Sequence, residues 1–145
     1  MPPQLLILLH AAATWAMVGL IWFVQVVHYP LFARVGEPGF AAYEQHHTTR
    51  TTWVVAPLML TELGTAVWLV LRPTGDPALA WAGLGLLAVV WTSTAALQVP
   101  CHRRLADGFD AGVAARLVRT NWIRTAAWTA RGAIALRLCE LAPSI

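Results

Sequence analysis

Lysine is absent from this chain: all ten basic residues are arginines. Acidic residues are also few, seven in number, so charged side chains make up only 12% of 145 residues. A soluble domain averages about 25% charged residues. With 58% apolar residues and eight tryptophans, this chain has more apolar surface than a domain of its length can hide from water. The two cysteines, Cys101 and Cys139, form no CxxC pattern and fall near opposite faces of the membrane in the topology that the arginines imply, too far apart to bridge, so they are read as two small apolar fillers. There is no phosphate-binding loop and no serine-centred nucleophile elbow, so nucleotide and hydrolase chemistry are not expected. Low-complexity tracts and linkers are missing too, and the length allows one domain.

What the chain does have is long apolar runs. A membrane-spanning helix needs about 20 apolar residues. Residues 5–28 and 78–99 carry no formal charge and 51–71 carries only Glu62. A fourth run, 119–138, is interrupted by Arg124, Arg131 and Arg137 but is needed as a partner for the third. The first run lacks a basic flank and is too long for a signal peptide, so it is read as a retained helix. Arg34 and Arg50 lie on the first connection and Arg103, Arg104, Arg116 and Arg119 on the third, against Arg72 alone on the second. The positive-inside rule then puts both termini outside. It also accounts for the net charge of +3 through topology, without a nucleic-acid partner.

Within these runs a repeat is visible. His28 is followed at a fixed distance by Arg50-Thr51, and His102 at the same distance by Arg124-Thr125. That offset also lays His47 on Asn121 and Tyr43 on Leu117, with Gln25 and Gln98 within one position of it. The fold expected is all-α: an integral membrane four-helix bundle built from two repeated helical hairpins.

Each helix carries one polar stripe. His10 and His28 are five turns apart at 3.6 residues per turn and share a face with Thr14, Met17, Ile21 and Gln25. His47, Thr51, Leu58 and Glu62 follow one stripe, Thr94, Gln98 and His102 another, and Asn121, Arg124, Trp128 and Arg131 a fourth. Polar groups facing lipid are expensive, so the stripes are expected to face one another. Depth sorts them into two layers. Glu62 and Arg131 are expected to form a structural ion pair, joined by His10. At the other end His28, His47 (or its neighbour His46), Arg50, His102, Asn121 and Arg124 form the candidate catalytic layer. Imidazole suits zinc, copper and iron, and two histidines can ligate a haem axially, so the cofactor expectation is a haem, a transition metal or none. Proline at 30, 57 and 100 is expected to end the first helix, kink the second and end the third.

The stretch 117–132, LVRTNWIRTAAWTARG, with His28-Tyr29-Pro30-Leu31 and His46-His47-Thr48-Thr49-Arg50, resembles small bacterial four-helix membrane proteins of unassigned function, and more loosely the anthrone-oxygenase-like membrane proteins. The resemblance implies oxidation of a lipophilic aromatic or quinone-like substrate in a bacterial inner membrane. In this reading Arg50 and Arg124 stabilise developing negative charge and a histidine shuttles the proton. The partners expected are the lipid bilayer and a lipophilic small molecule, with a homodimer or other membrane subunits as further options. The rival reading is a non-catalytic accessory subunit of a larger respiratory or photosynthetic membrane complex.

Overall fold

A computed structural model describes residues 2–72 and 76–142. Among these the chain is all-helical, without strands, and forms four helical rods. Helix α1 spans Pro3–Phe23 and continues through a π turn, Val24–His28, into a 3-10 turn, Pro30–Arg34. α2 spans Glu37–Leu71, and α3 spans Pro77–Ser93 with a second π turn, Thr94–Gln98, leading into α4, Val99–Leu105. α5 spans Ala111–Glu140. Three rods, Pro3–Arg34, Glu37–Leu71 and Pro77–Leu105, are long and apolar enough to cross a membrane.

Local chemistry explains the ends. Asp76 accepts a hydrogen bond from the Ala78 amide at 2.8 Å, and Pro77 opens α3 where its missing N–H costs nothing. Asp110 caps α5 by accepting from the Val113 amide at 3.0 Å. Gly36, at φ 84°, supplies the left-handed turn before α2. The tight outer turn expected around 72–77 falls partly on residues 73–75, outside the described residues.

Pro30 and Pro100 act differently from expectation. α1 gives way at Phe23, ahead of Pro30, and Pro30 starts the 3-10 turn instead of closing a helix. Pro100 does not end the third rod: it sits in the first turn of α4, directly after the wide π turn, which absorbs the change of register. α2 runs through Pro57, and the Thr61 hydroxyl donates to the Pro57 carbonyl at 2.8 Å.

α5 packs against both α1 and α3, α1 also against α2, and α2 against α3, closing a ring of four rods. α5 carries the most arginine, yet it buries Asn121, Thr125, Trp128 and Arg131. The small Gly132 permits its closest approach to α1: a Cβ there would lie 3.2 Å from Val18 and 3.3 Å from the Trp15 ring. The outer surface is apolar instead, with Leu8, Trp53, Leu60, Leu71, Trp81, Trp122 and Leu136 exposed.

Arg131, 1% exposed, donates through Nη2 to Glu62 Oε1 at 3.1 Å, with Nε at 3.4 Å, and through Nη1 to the Gly83 carbonyl. Trp128 Nε1 donates to Glu62 Oε2 at 2.9 Å. Since both carboxylate oxygens are taken, His10 bonds at 2.8 Å to the Thr65 hydroxyl instead of to Glu62. That hydroxyl donates to the Thr61 carbonyl at 2.7 Å, so His10 Nδ1 is the donor. One ion pair thereby ties α2, α3 and α5 together. Removing one partner, as in Glu62→Ala or Arg131→Ala, should destabilise the bundle by about 3–5 kcal/mol, since the remaining charge stays buried. Replacing both with apolar residues of similar volume should cost much less, and chemical unfolding in detergent measures the difference.

Candidate functional site

The other polar layer is built where α1 ends. The first π turn is closed by the Tyr29 amide donating to the Val24 carbonyl at 3.0 Å, and it presents His28 and Tyr29 toward α2. His28 Nε2 lies 2.8 Å from His47 Nδ1 with ring centroids 4.5 Å apart, and Thr51 Oγ1 lies 3.1 Å from the same nitrogen. His102, one turn beyond the second π turn, has its ring 5.4 Å from that of His47. Its Nε2 is 3.0 Å from the Tyr29 hydroxyl, and its Nδ1 is 2.5 Å from Glu44 Oε1. Phe32 sits against both His28 and His47 at 5.3 Å and packs on Phe40, forming an aromatic floor. Glu44 is fully buried, and its second oxygen, Oε2, has no hydrogen-bond partner.

A cavity of about 350 Å³ opens beside this cluster. Its walls come from α1 and its π turn (Leu20, Val24), from α2 (Thr51, Val55, Met59), and from the second π turn and α4 (Thr94, Gln98, Val99). Tyr29, His47, His102 and Arg124 line it as well. The Arg124 guanidinium stacks on the Trp128 ring at 5.3 Å, lies beside Tyr29, and keeps a buried Nε without a partner.

The expected residues divide accordingly. His28, His47 and His102 come together in one cluster with Arg124 beside them. Asn121 lies apart, donating to Gln25 Oε1 at 2.9 Å, while Gln25 Nε2 reaches the Val118 carbonyl at 3.1 Å. These bonds fasten α1 to α5. Arg50 is exposed and lines no part of the cavity, and His46 is exposed and bonded to its own helix at the Ala42 carbonyl. Arg50 is six residues from Glu44, about 240° around the helix at 3.6 residues per turn, and so faces away. Repeat mates thus occupy unlike surroundings.

A haem with two axial histidines does not fit, because the imidazoles touch one another and no macrocycle can lie between them. A single ion is different. Glu44, His47 and His102 each offer a donor atom, all within 4.8 Å of one another.

Glu44 and Tyr29 were not among the expected site residues. Glu44 stands three positions before His47, the Glu-x-x-His spacing that puts both on one helix face, and five turns from Glu62, so the same face continues along α2. Those spacings were the available signal. Tyr29 carried none beyond its neighbour His28.

No family model, curated protein or solved structure matches this chain.

The short Glu44–His102 contact has a spectroscopic consequence. The proton between them should resonate downfield of ordinary imidazole N–H signals in an NMR spectrum of the detergent-solubilised protein. It should vanish in Glu44→Gln while the His10 signal stays. A His102 proton at an ordinary shift in the wild type would contradict the geometry.

Proposed function

We propose that the chain is a membrane-embedded enzyme of the oxidoreductase or oxygenase type, taking a flat, lipophilic aromatic or quinone-like substrate at the polar end of its cavity. The observation carrying this reading is the cavity, mainly apolar in its lining, with Tyr29, His102 and Arg124 among the polar groups that face it. That lining is drawn from α1, α2 and the second π turn with α4, and in this reading a molecule dissolved in the bilayer enters sideways between α2 and that π turn. The apolar outer surface and the three spanning-length rods support membrane residence, with α5 as the fourth helix of the ring. The arginines of the first and third connections then face the cytoplasm and both termini the outside.

The residues supply the proton-transfer half of such chemistry. A substrate hydroxyl or enolisable carbonyl reaching the Tyr29 hydroxyl gives its proton to that oxygen as Tyr29 passes its own to His102 Nε2. The imidazolium so formed donates through Nδ1 to the Glu44 carboxylate, which holds the ring in place and balances its charge. Arg124, whose Nε lacks any other partner, stabilises the oxygen anion left on the substrate. The substrate draws on that charge only as negative charge develops on its oxygen, so the contribution falls on the rate.

Enolisation of an anthrone, followed by the absorbance of its anion in detergent or vesicles, tests the assignment. Arg124→Gln should slow it by about 10²–10³-fold, the usual cost of losing one anion-stabilising donor. Arg50→Gln should leave it unchanged. Equal rates in wild type and Arg124→Gln would sink the reading.

A further inference from the structure

We propose that Glu44, His47 and His102 form a binding site for one divalent first-row transition ion, a two-histidine, one-carboxylate set that leaves coordination positions open toward the cavity. Three observations carry it. The donor atoms lie within 4.8 Å of one another, a spread that one ion can draw together. Glu44 is 0% exposed and yet leaves Oε2 without a partner, a costly arrangement for a carboxylate oxygen unless a cation completes it. The outer nitrogens are also already held. His28 occupies His47 Nδ1 at 2.8 Å, which leaves His47 Nε2 available to the ion. The Tyr29 hydroxyl occupies His102 Nε2 at 3.0 Å, which leaves Nδ1 as the ligating nitrogen. A ligating histidine ordinarily has its second nitrogen fixed in this way, and the same partner sets its orientation.

Binding needs a small rearrangement. Donors about 2.0–2.2 Å from a tetrahedral ion are about 3.4 Å apart, so the 2.5 Å contact of Glu44 Oε1 with His102 Nδ1 must open. Rotation of the carboxylate to bring in Oε2 achieves this, and the ion takes the place of the proton that the pair otherwise shares. Mixed imidazole and carboxylate donors favour iron, zinc or manganese over calcium or magnesium, which prefer oxygen alone, and the open positions are those of a non-haem iron(II) centre. His47 and His102 line the cavity, so an open position faces whatever the cavity holds. An ion on His102 Nδ1 and Glu44 replaces the proton relay of the proposed function, so the metal-bound and relay forms are alternative states of the chain, and the cobalt test is separate from the anthrone measurement.

The experiment uses the full chain without a histidine tag, purified in mild detergent, stripped with a chelator and titrated with cobalt(II). Bound cobalt and its visible d–d absorption are the readouts, with iron(II), manganese(II) and zinc(II) as competitors. One cobalt per chain is expected, displaced by at least one competitor. Glu44→Gln and His102→Ala should each weaken binding by at least about 100-fold. His28→Ala, which removes only the outer partner of His47, should weaken it by about 10–100-fold. His46→Ala, an exposed neighbour, should bind as the wild type does. Should the ligand variants lose helicity by circular dichroism, X-ray absorption of the cobalt-bound wild type decides, with two imidazoles in the first shell expected. Folded wild type that binds no cobalt overturns the proposal, as does binding that persists in folded Glu44→Gln and His102→Ala or a cobalt shell without two imidazoles.

Discussion

The Glu62–Arg131 pair is the interaction on which the rest of this bundle depends. A guanidinium and a carboxylate both removed from solvent must satisfy each other, and in doing so they fix the rotation of α2 against α5. Glu62 also accepts from Trp128, and Arg131 donates to the Gly83 carbonyl of α3, so three rods are held in register at one level. Glu44 stands five full turns from Glu62 on the same helix. Once Glu62 faces inward, Glu44 does too, and with it the histidine one turn further on.

The two polar layers are also linked along α5. Arg124 stacks on the Trp128 ring, and the nitrogen of that ring holds the Glu62 carboxylate. A continuous line of charge, π face, hydrogen bond and ion pair therefore runs from the cavity to the structural pair. The Gln25–Asn121 contacts fasten α1 to α5, and Gln98 donates to Thr120 at 3.2 Å, fastening the third rod to α5. Both glutamines lie within the π turns, where the extra residue per turn changes which side chains face the interior.

Much of this arrangement could be read in the sequence because polar residues are rare enough here to be counted. Eighteen-residue spacing put His10 and His28 on one face, and comparable depth paired Glu62 with Arg131. The meeting of His28, His47 and His102 followed from inward-facing stripes. Other features were hidden for physical reasons. Matching Arg50 to Arg124 relied on letters at a fixed offset, whereas helix phase turns one outward and the other toward the cavity. Glu44 lay in a stretch that reads as interfacial and polar, where a carboxylate draws no attention unless its phase is followed to Glu62. The prolines were read as helix breakers, but the π turn makes room for Pro100, and Pro30 opens a new turn instead of closing an old one.

The most direct test of the account is a nitroxide scan along α2 from Leu58 to Leu71 in lipid vesicles, measuring collisions with oxygen, which concentrates in the bilayer, and with a water-soluble nickel complex. Labels at Leu60, Val67 and Trp68 should meet oxygen freely and nickel hardly at all, while labels at Met59, Ala66 and Leu69 should meet neither, tracing the helical period of the face that carries Glu62. Nickel reaching Leu60 and Val67 readily, or oxygen accessibility without that period, would contradict a bundle that keeps its polar groups inside and its apolar faces toward lipid.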